Sequence, residues 1–278
     1  MVSWTSSYFL ALILCLSSCI ATPSTSTPKT QPKESASIVD LSSPQHYLDE
    51  WFTATTIIDD PYPSICSLHL EDGNMIGSGI LIRPNVVLTA GHCIDEDNIF
   101  SVIIGQKDTL MEEEILVKCM ILHPSYSHTF GRVRNDIGLI FLECDSIYEP
   151  ATIGCVEWMS RYQDITTVGN SWSYKKYSKP GVFRYFGVVE GEPNEMKFIP
   201  RPASILPGDS GGGVFAKFEG KEYVVGVISN YTMVRIFKNE SIISECSATI
   251  IANYLDWIEM EVIKDEIRTL NKINEDGR

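Results

Sequence analysis

Gly208-Asp209-Ser210-Gly211-Gly212 sets a hydroxyl among glycines. Glycine on either side permits backbone angles that a Cβ resists, and it lets backbone N–H groups face the same small volume as the serine oxygen. Ser210 is therefore a candidate nucleophile, and the N–H groups of Gly208 and Ser210 are candidates for an oxyanion hole. A hydroxyl is a poor nucleophile at neutral pH, so the reading requires a general base and a third group to orient it.

The chain contains five histidines. His46 sits in a polar N-terminal stretch, His69 in an alternating strand, and His123 and His128 in a Pro/Ser/Tyr-rich loop. His92 differs, because Val86-Val87-Leu88-Thr89-Ala90-Gly91-His92-Cys93 is a β-branched apolar run followed by small residues and a sharp change of direction. Such a strand end holds an imidazole on a rigid edge. The orienting group should be a buried, hydrogen-bonded carboxylate. Asp136 fits, opening the nearly continuous apolar strand of Asn135-Asp136-Ile137-Gly138-Leu139-Ile140-Phe141-Leu142, where an unpartnered carboxylate carries a heavy desolvation cost. Each residue alone has a plainer explanation, a structural histidine and an acid that ends a loop, and the combination is what singles them out.

Short β-branched runs recur with turn signals between them, at 65–70, 76–82, 86–88, 100–104, 115–122, 137–142, 166–169, 182–189, 213–218 and 223–229. This spacing predicts an all-β barrel or sandwich. Residues 253–274 then carry helical apolar periodicity at Leu255, Ile258, Val262, Ile263 and Ile267.

Together, Thr89-Ala90-Gly91-His92-Cys93, Asn135-Asp136-Ile137-Gly138-Leu139 and Gly208-Asp209-Ser210-Gly211-Gly212 resemble the chymotrypsin/trypsin family of serine endopeptidases, whose histidine, aspartate and serine follow that chain order. Subtilisins and α/β-hydrolases use other orders. The resemblance covers about residues 57–260. It implies an all-β fold of two six-stranded antiparallel β-barrels with a C-terminal α-helix: barrel one at about 57–150, barrel two at about 151–252 and the helix at about 253–274, within a domain of 51–278. It further implies peptide-bond hydrolysis through an acyl-enzyme, with His92, Asp136 and Ser210 as the catalytic residues, a protein or peptide substrate and no cofactor. An esterase using the same three residues, and an inactive homologue that binds a partner through its cleft, are the alternatives.

By the same resemblance Ser204 lies at the base of the primary substrate pocket and Ser229 lines the cleft near the aspartate, with Asn230 where the family has a tryptophan. Without an acid at position 204, a preference for Arg or Lys substrates is not supported. In the family, a freshly cut terminus, often Ile-Val after Arg or Lys, pairs with the aspartate matching Asp209. Here Ile38-Val39 follows Ser37 and Ile57-Ile58 follows Thr56. Asp209, a structural rather than catalytic residue, is therefore expected to find another partner or to depend on an unusual protease, since a buried acid left alone costs several kcal/mol.

A formal net charge of -14 and the lack of a basic stripe argue against nucleic acid or an anionic membrane surface as partner. The 44% hydrophobic content suffices for a core. Residues 8–16 are apolar and are followed by small residues up to Ala21, which predicts a secretory signal over 1–21 and an exported protein. Leu16-Ser17-Ser18-Cys19 also resembles a bacterial lipobox, which would anchor the chain to a membrane through Cys19. Ordinary cleavage is preferred. Residues 22–50 begin with a Ser/Thr/Pro-rich stretch and read as a disordered linker or propeptide, and the folded part is expected to be a monomer. Six cysteines follow the signal, an even number in an exported chain, and no Cys-x-x-Cys pair points to a metal. The family's partner for the cysteine after the histidine is missing at Gly77-Ser78-Gly79, so Cys66 is the candidate partner of Cys93. Cys119 with Cys144, and Cys155 with Cys246, complete the expected pairing.

Overall fold

The computed structural model describes residues 56–57, 62–95, 98–105, 112–129, 132–158, 164–171, 175–189, 192–200, 205–237 and 240–276. The expected signal and linker, and Ser204, lie outside the described residues. The chain enters through β1 (Thr56–Ile57). It continues through β2 (Ile65–His69), β3 (Met75–Arg83), β4 (Val86–Thr89), a one-turn helix α1 (His92–Asp95), β5 (Ser101–Ile104) and β6 (Glu113–Leu122). A small hairpin, β7 (Ser127–Thr129) with β8 (Arg132–Arg134), precedes β9 (Gly138–Leu142).

Strands β2-β3-β4-β9-β6-β5 close into an antiparallel barrel. The two strands with uninterrupted apolar runs, β4 and β9, are buried along their whole length and lie side by side, Val86 opposite Phe141 and Thr89 opposite Gly138. Leu68, Ile80, Leu88, Val102, Ile104 and Leu139 fill the interior. Each such side chain contributes about 1.5–3 kcal/mol by leaving water.

The second half holds β10 (Asp164–Ser171), β11 (Lys175–Val189), β12 (Glu192–Pro200), β13 (Gly213–Phe218), β14 (Lys221–Phe237) and β15 (Glu240–Ile250). They form a seven-stranded sheet in the order β1-β11-β10-β13-β14-β15-β12, in which β11 also pairs with β12. Where two six-stranded barrels were expected, the structure thus has one closed barrel and a seven-stranded sheet. The seventh strand is β1, which adds through Thr56 opposite Ser178 and Ile57 opposite Tyr177. Its core is a separate cluster including Ile165, Met196, Phe198, Val225, Ile228 and Ile250. Strands β12 and β15 escape a search for apolar runs for a physical reason. Met196 and Phe198 are the buried apolar pair of β12, and β15 turns the small Cys246 and Ala248 inward with Ile250.

After a short 3-10 turn (Ile251–Tyr254), helix α2 (Leu255–Asp276) packs back on the first barrel. Its buried apolar face is Trp257, Ile258 and Val262, reached also by Tyr254, whereas Leu255, Ile263 and Ile267 are exposed. The apolar periodicity is therefore broader than the contact. Glu261 and Asp265 occupy the rest of the inner face, where Lys264 and Lys118, respectively, donate to them at 2.7 and 2.8 Å.

No disulfide joins Cys66 to Cys93, Cys119 to Cys144 or Cys155 to Cys246. A Cβ on Gly79 would stand 3.0 Å from Cys66 Sγ and one on Gly77 2.9 Å from Cys93 Sγ. The two thiols therefore lie over positions two residues apart on β3, a step of roughly 6–7 Å. Cys119 faces Phe141, three residues short of exposed Cys144. Cys246 is buried between Phe198 and Tyr231, while Cys155 Sγ donates to the exposed Glu157.

Phe141, 1% exposed, is among the largest fully buried side chains of the barrel. Phe141→Ala should lower the unfolding free energy by about 3–5 kcal/mol, read from the midpoint of a urea titration at unchanged slope.

Candidate active site

The barrel register brings two of the sequence candidates, His92 and Asp136, together. His92 follows the end of β4 and Asp136 precedes the start of β9, and these two ends are neighbours because Thr89 pairs with Gly138. Asp136 is 2% exposed. One carboxylate oxygen, Oδ1, accepts the His92 backbone N–H at 2.8 Å, and Oδ2 accepts the ring Nδ1–H at 2.8 Å. An ionised carboxylate only accepts, so Nδ1, the ring nitrogen that faces Asp136, carries a proton. The neighbouring Asn135 has φ +48°, and its side chain anchors the approach by donating to Ser125 O at 2.8 Å and accepting from Tyr254 Oη at 2.9 Å.

Ser229 supplies a third donor to Asp136, its hydroxyl lying 2.5 Å from Oδ2. Ladder partners shift between Ile228 and Asn230 of β14, which makes Ser229 the extra residue of a bulge. A bulge re-aims a side chain, and here it turns the hydroxyl onto the acid. Thr249 on β15 donates to the Asp136 carbonyl at 2.9 Å. A cavity of about 190 Å³ opens beside this cluster, lined in part by Val133, Arg134, Asn194 and Glu195.

Ser210 sits in the turn before β13. Its carbonyl accepts the Ser78 N–H at 2.8 Å and lies 3.8 Å from Sγ of Cys93, the residue after His92. Gly211 N–H donates to Ile228 O at 2.8 Å, so the turn rests on β14 one residue before Ser229. Gly211 has φ +83°, and a Cβ there would overlap the Ser78 carbonyl oxygen and Thr89 Oγ1. Glycine is required on both counts. Gly208 has φ +94°. Among the described residues, the N–H groups of Gly208 and Ser210 donate to no protein acceptor. Ser210 itself is half-buried.

Asp209 is 1% exposed, and its Oδ2 accepts the Leu206 N–H at 2.8 Å while its own N–H donates to Leu206 O at 3.0 Å. The acid thus has a partner three residues back, in its own turn. Ile57, one of the two candidate new termini, lies within β1 opposite Tyr177; Ile38 is outside the described residues. One participant carried no sequence signal: Ser78, noticed there only as standing near a missing cysteine, donates its hydroxyl to Gly208 O at 2.7 Å.

Residues 77–227 match the trypsin-like peptidase domain. Vitamin K-dependent protein C of Oryctolagus cuniculus is 26% identical over 227 residues, which cover 67% of this chain and 46% of that protein. Chymotrypsin-like elastase family member 1 of Felis catus is 32% identical over 90 residues, 30% of this chain and 34% of that one. The chain spans less than half the length of these curated relatives. Among solved structures, neuropsin, a serine protease expressed in the limbic system of mouse brain, matches with a TM-score of 0.62 at 20% identity, over 75% of this chain and 98% of that one. That likeness is one of fold.

Burial alone would lower the pKa of His92, but the hydrogen bond to Asp136, helped by Cys93 and the acid's charge, more than offsets it and the net shift is upward. For Asp136, burial raises and the bonds and charge of His92, with the Ser229 hydroxyl, lower, for a net shift downward. The histidine's share of stability is full below its unfolded value of about 6.5 and is lost as pH rises through the raised folded value. The acid's share is present above about 3.9 and is lost as pH falls through the depressed one. In an NMR titration, the His92 imidazole should change protonation above about pH 6.5, and Asp136→Asn should move the midpoint down. An unmoved midpoint would contradict the pairing.

Proposed function

The chain belongs to the trypsin-like peptidase family, and from that premise we propose that it is a serine endopeptidase in which Ser210 is the nucleophile, His92 the general base and acid, and Asp136 the group that orients His92. The observation that carries this reading is the buried carboxylate of Asp136 gripping both the backbone N–H and the ring Nδ1 of one histidine, beside the glycine turn of Ser210.

Ser210 Oγ adds to the carbonyl carbon of a peptide bond while its proton passes to His92 Nε2. The carbonyl oxygen takes up the negative charge against the N–H groups of Gly208 and Ser210, each such donor being worth about 2.7–4 kcal/mol in the transition state. When the tetrahedral species collapses, the C–N bond breaks and Nε2 returns the proton to the leaving amine, which leaves an ester on Ser210. Water then adds to that ester by the same route, with Nε2 as base, and releases the acid. Throughout, Asp136 stays ionised and holds the ring.

The substrate is a protein or peptide chain. Its contacts are proposed along the cavity beside Asp136 and at Ser229 and Ser204, the first of which reaches Asp136 directly. The pairing of β11 with β12 supports reading the second sheet as a barrel with β1 added to it. Export is supported by the apolar stretch at residues 8–16.

Ser210→Ala should reduce the rate of peptide hydrolysis by about 10⁴-fold or more. A fluorophosphonate should label the parent chain at Ser210 and leave the variant unmodified. Undiminished hydrolysis by Ser210→Ala, or label elsewhere, would sink the assignment.

A further inference from the structure

The groups that hold the Ser210 turn include one from the other half of the molecule. Ser78, on β3 of the closed barrel, is 0% exposed and spends all of its polar groups on or beside that turn. Its N–H donates to Ser210 O at 2.8 Å and its C=O accepts Thr89 Oγ1 at 2.8 Å. Its hydroxyl donates to Gly208 O at 2.7 Å and accepts the Asn170 N–H at 2.7 Å. A single buried oxygen thus bridges the turn to β10, and the bridging residue belongs to neither segment.

Gly208 is, with Gly211, one of the two glycines of the turn whose φ is positive. At φ +94° it occupies a region glycine enters freely, so rotation about its backbone bonds meets little resistance. Pro207, before it, has no N–H to tie the chain down. The Asp209 N–H, which shares a peptide plane with the Gly208 carbonyl, donates to Leu206 O at 3.0 Å and holds the N–H side of that plane. The hydrogen bond from Ser78 holds the carbonyl side of that plane, and the Gly208 N–H is separated from it only by the two backbone torsions of Gly208 itself. Deleting the hydroxyl strips a buried carbonyl of its donor and the buried Asn170 N–H of its acceptor. Orphaned groups of this kind drive the backbone to turn until they are satisfied.

We propose that Ser78 is a positioning residue of the oxyanion hole, its hydroxyl holding Gly208 so that the Gly208 N–H points to where the substrate's oxyanion forms. This rests on the reading of Ser210 as nucleophile. It also assigns the set of the turn to interior groups, Ser78 from the barrel and Leu206 from the turn itself.

The test compares the parent full chain with Ser78→Ala and Ser78→Gly, which both remove the hydroxyl. A peptide substrate gives kcat and KM. A peptide aldehyde, whose adduct with Ser210 places an oxygen at the oxyanion position, reports on the hole. The expected result is a fall in kcat of about tenfold to a hundredfold, a KM within about twofold of the parent, aldehyde affinity falling in step with kcat, and an unchanged pH profile because His92 and Asp136 are untouched. A kcat equal to that of the parent overturns the proposal, as does a loss of kcat that aldehyde affinity does not follow. Failure of both variants to fold also overturns it, since the hydroxyl then serves the fold and not the turn. If the parent shows neither Ser210-dependent turnover nor fluorophosphonate labelling, the endopeptidase reading fails and takes this one with it. An active parent with indifferent Ser78 variants removes the positioning role alone.

Discussion

A carboxylate that water cannot reach has to be solvated by the protein, and Asp136 is such a group. Ionised and buried without donors, it would cost several kcal/mol. Three donors meet it, the His92 N–H, the His92 ring and the Ser229 hydroxyl, and they come from opposite halves of the chain. Satisfying this one acid therefore fixes where β4 ends, where β9 begins and where β14 must bulge. The Ser210 turn inherits its position from the same arrangement, since Gly211 donates to Ile228 beside that bulge and the Ser210 carbonyl faces the barrel at Ser78.

Within the first barrel, β4 and β9 are legible in the sequence because they are continuous apolar runs, and burial on both faces leaves such runs no other use. Both match the runs beginning at Val86 and Ile137 to within a residue. The second sheet is read less completely. Its longest strands, β11 and β14, extend well beyond the runs at 182–189 and 223–229, through polar residues that the ladder of a neighbouring strand holds extended. β12 begins Glu-Pro-Asn-Glu, a composition that signals a turn, and it is a strand because β11 and β15 flank it. Tertiary pairing overrides local preference there.

At the site, His92, Asp136 and the Ser210 turn are visible from sequence because each lies where an apolar strand meets small or acidic residues. The bond from Leu206 to Asp209 is invisible for the opposite reason. Its donor is a backbone N–H, a group every residue but proline carries, and only the three-dimensional turn selects that of Leu206. The cysteines mislead for a third reason. Their even number suggests bonding, yet Cys66, Cys93 and Cys246 are buried as small apolar side chains in the core while Cys144 is exposed.

Helix α2 follows both sheets in the chain, yet Trp257, Ile258 and Val262 belong to the core of the first barrel. During synthesis that barrel is made early and stays uncovered on this flank while the whole second sheet is translated. Its exposed core is then a surface on which the nascent chain can misassemble or a chaperone can act. The residues that seal that flank come from a segment made only after both sheets.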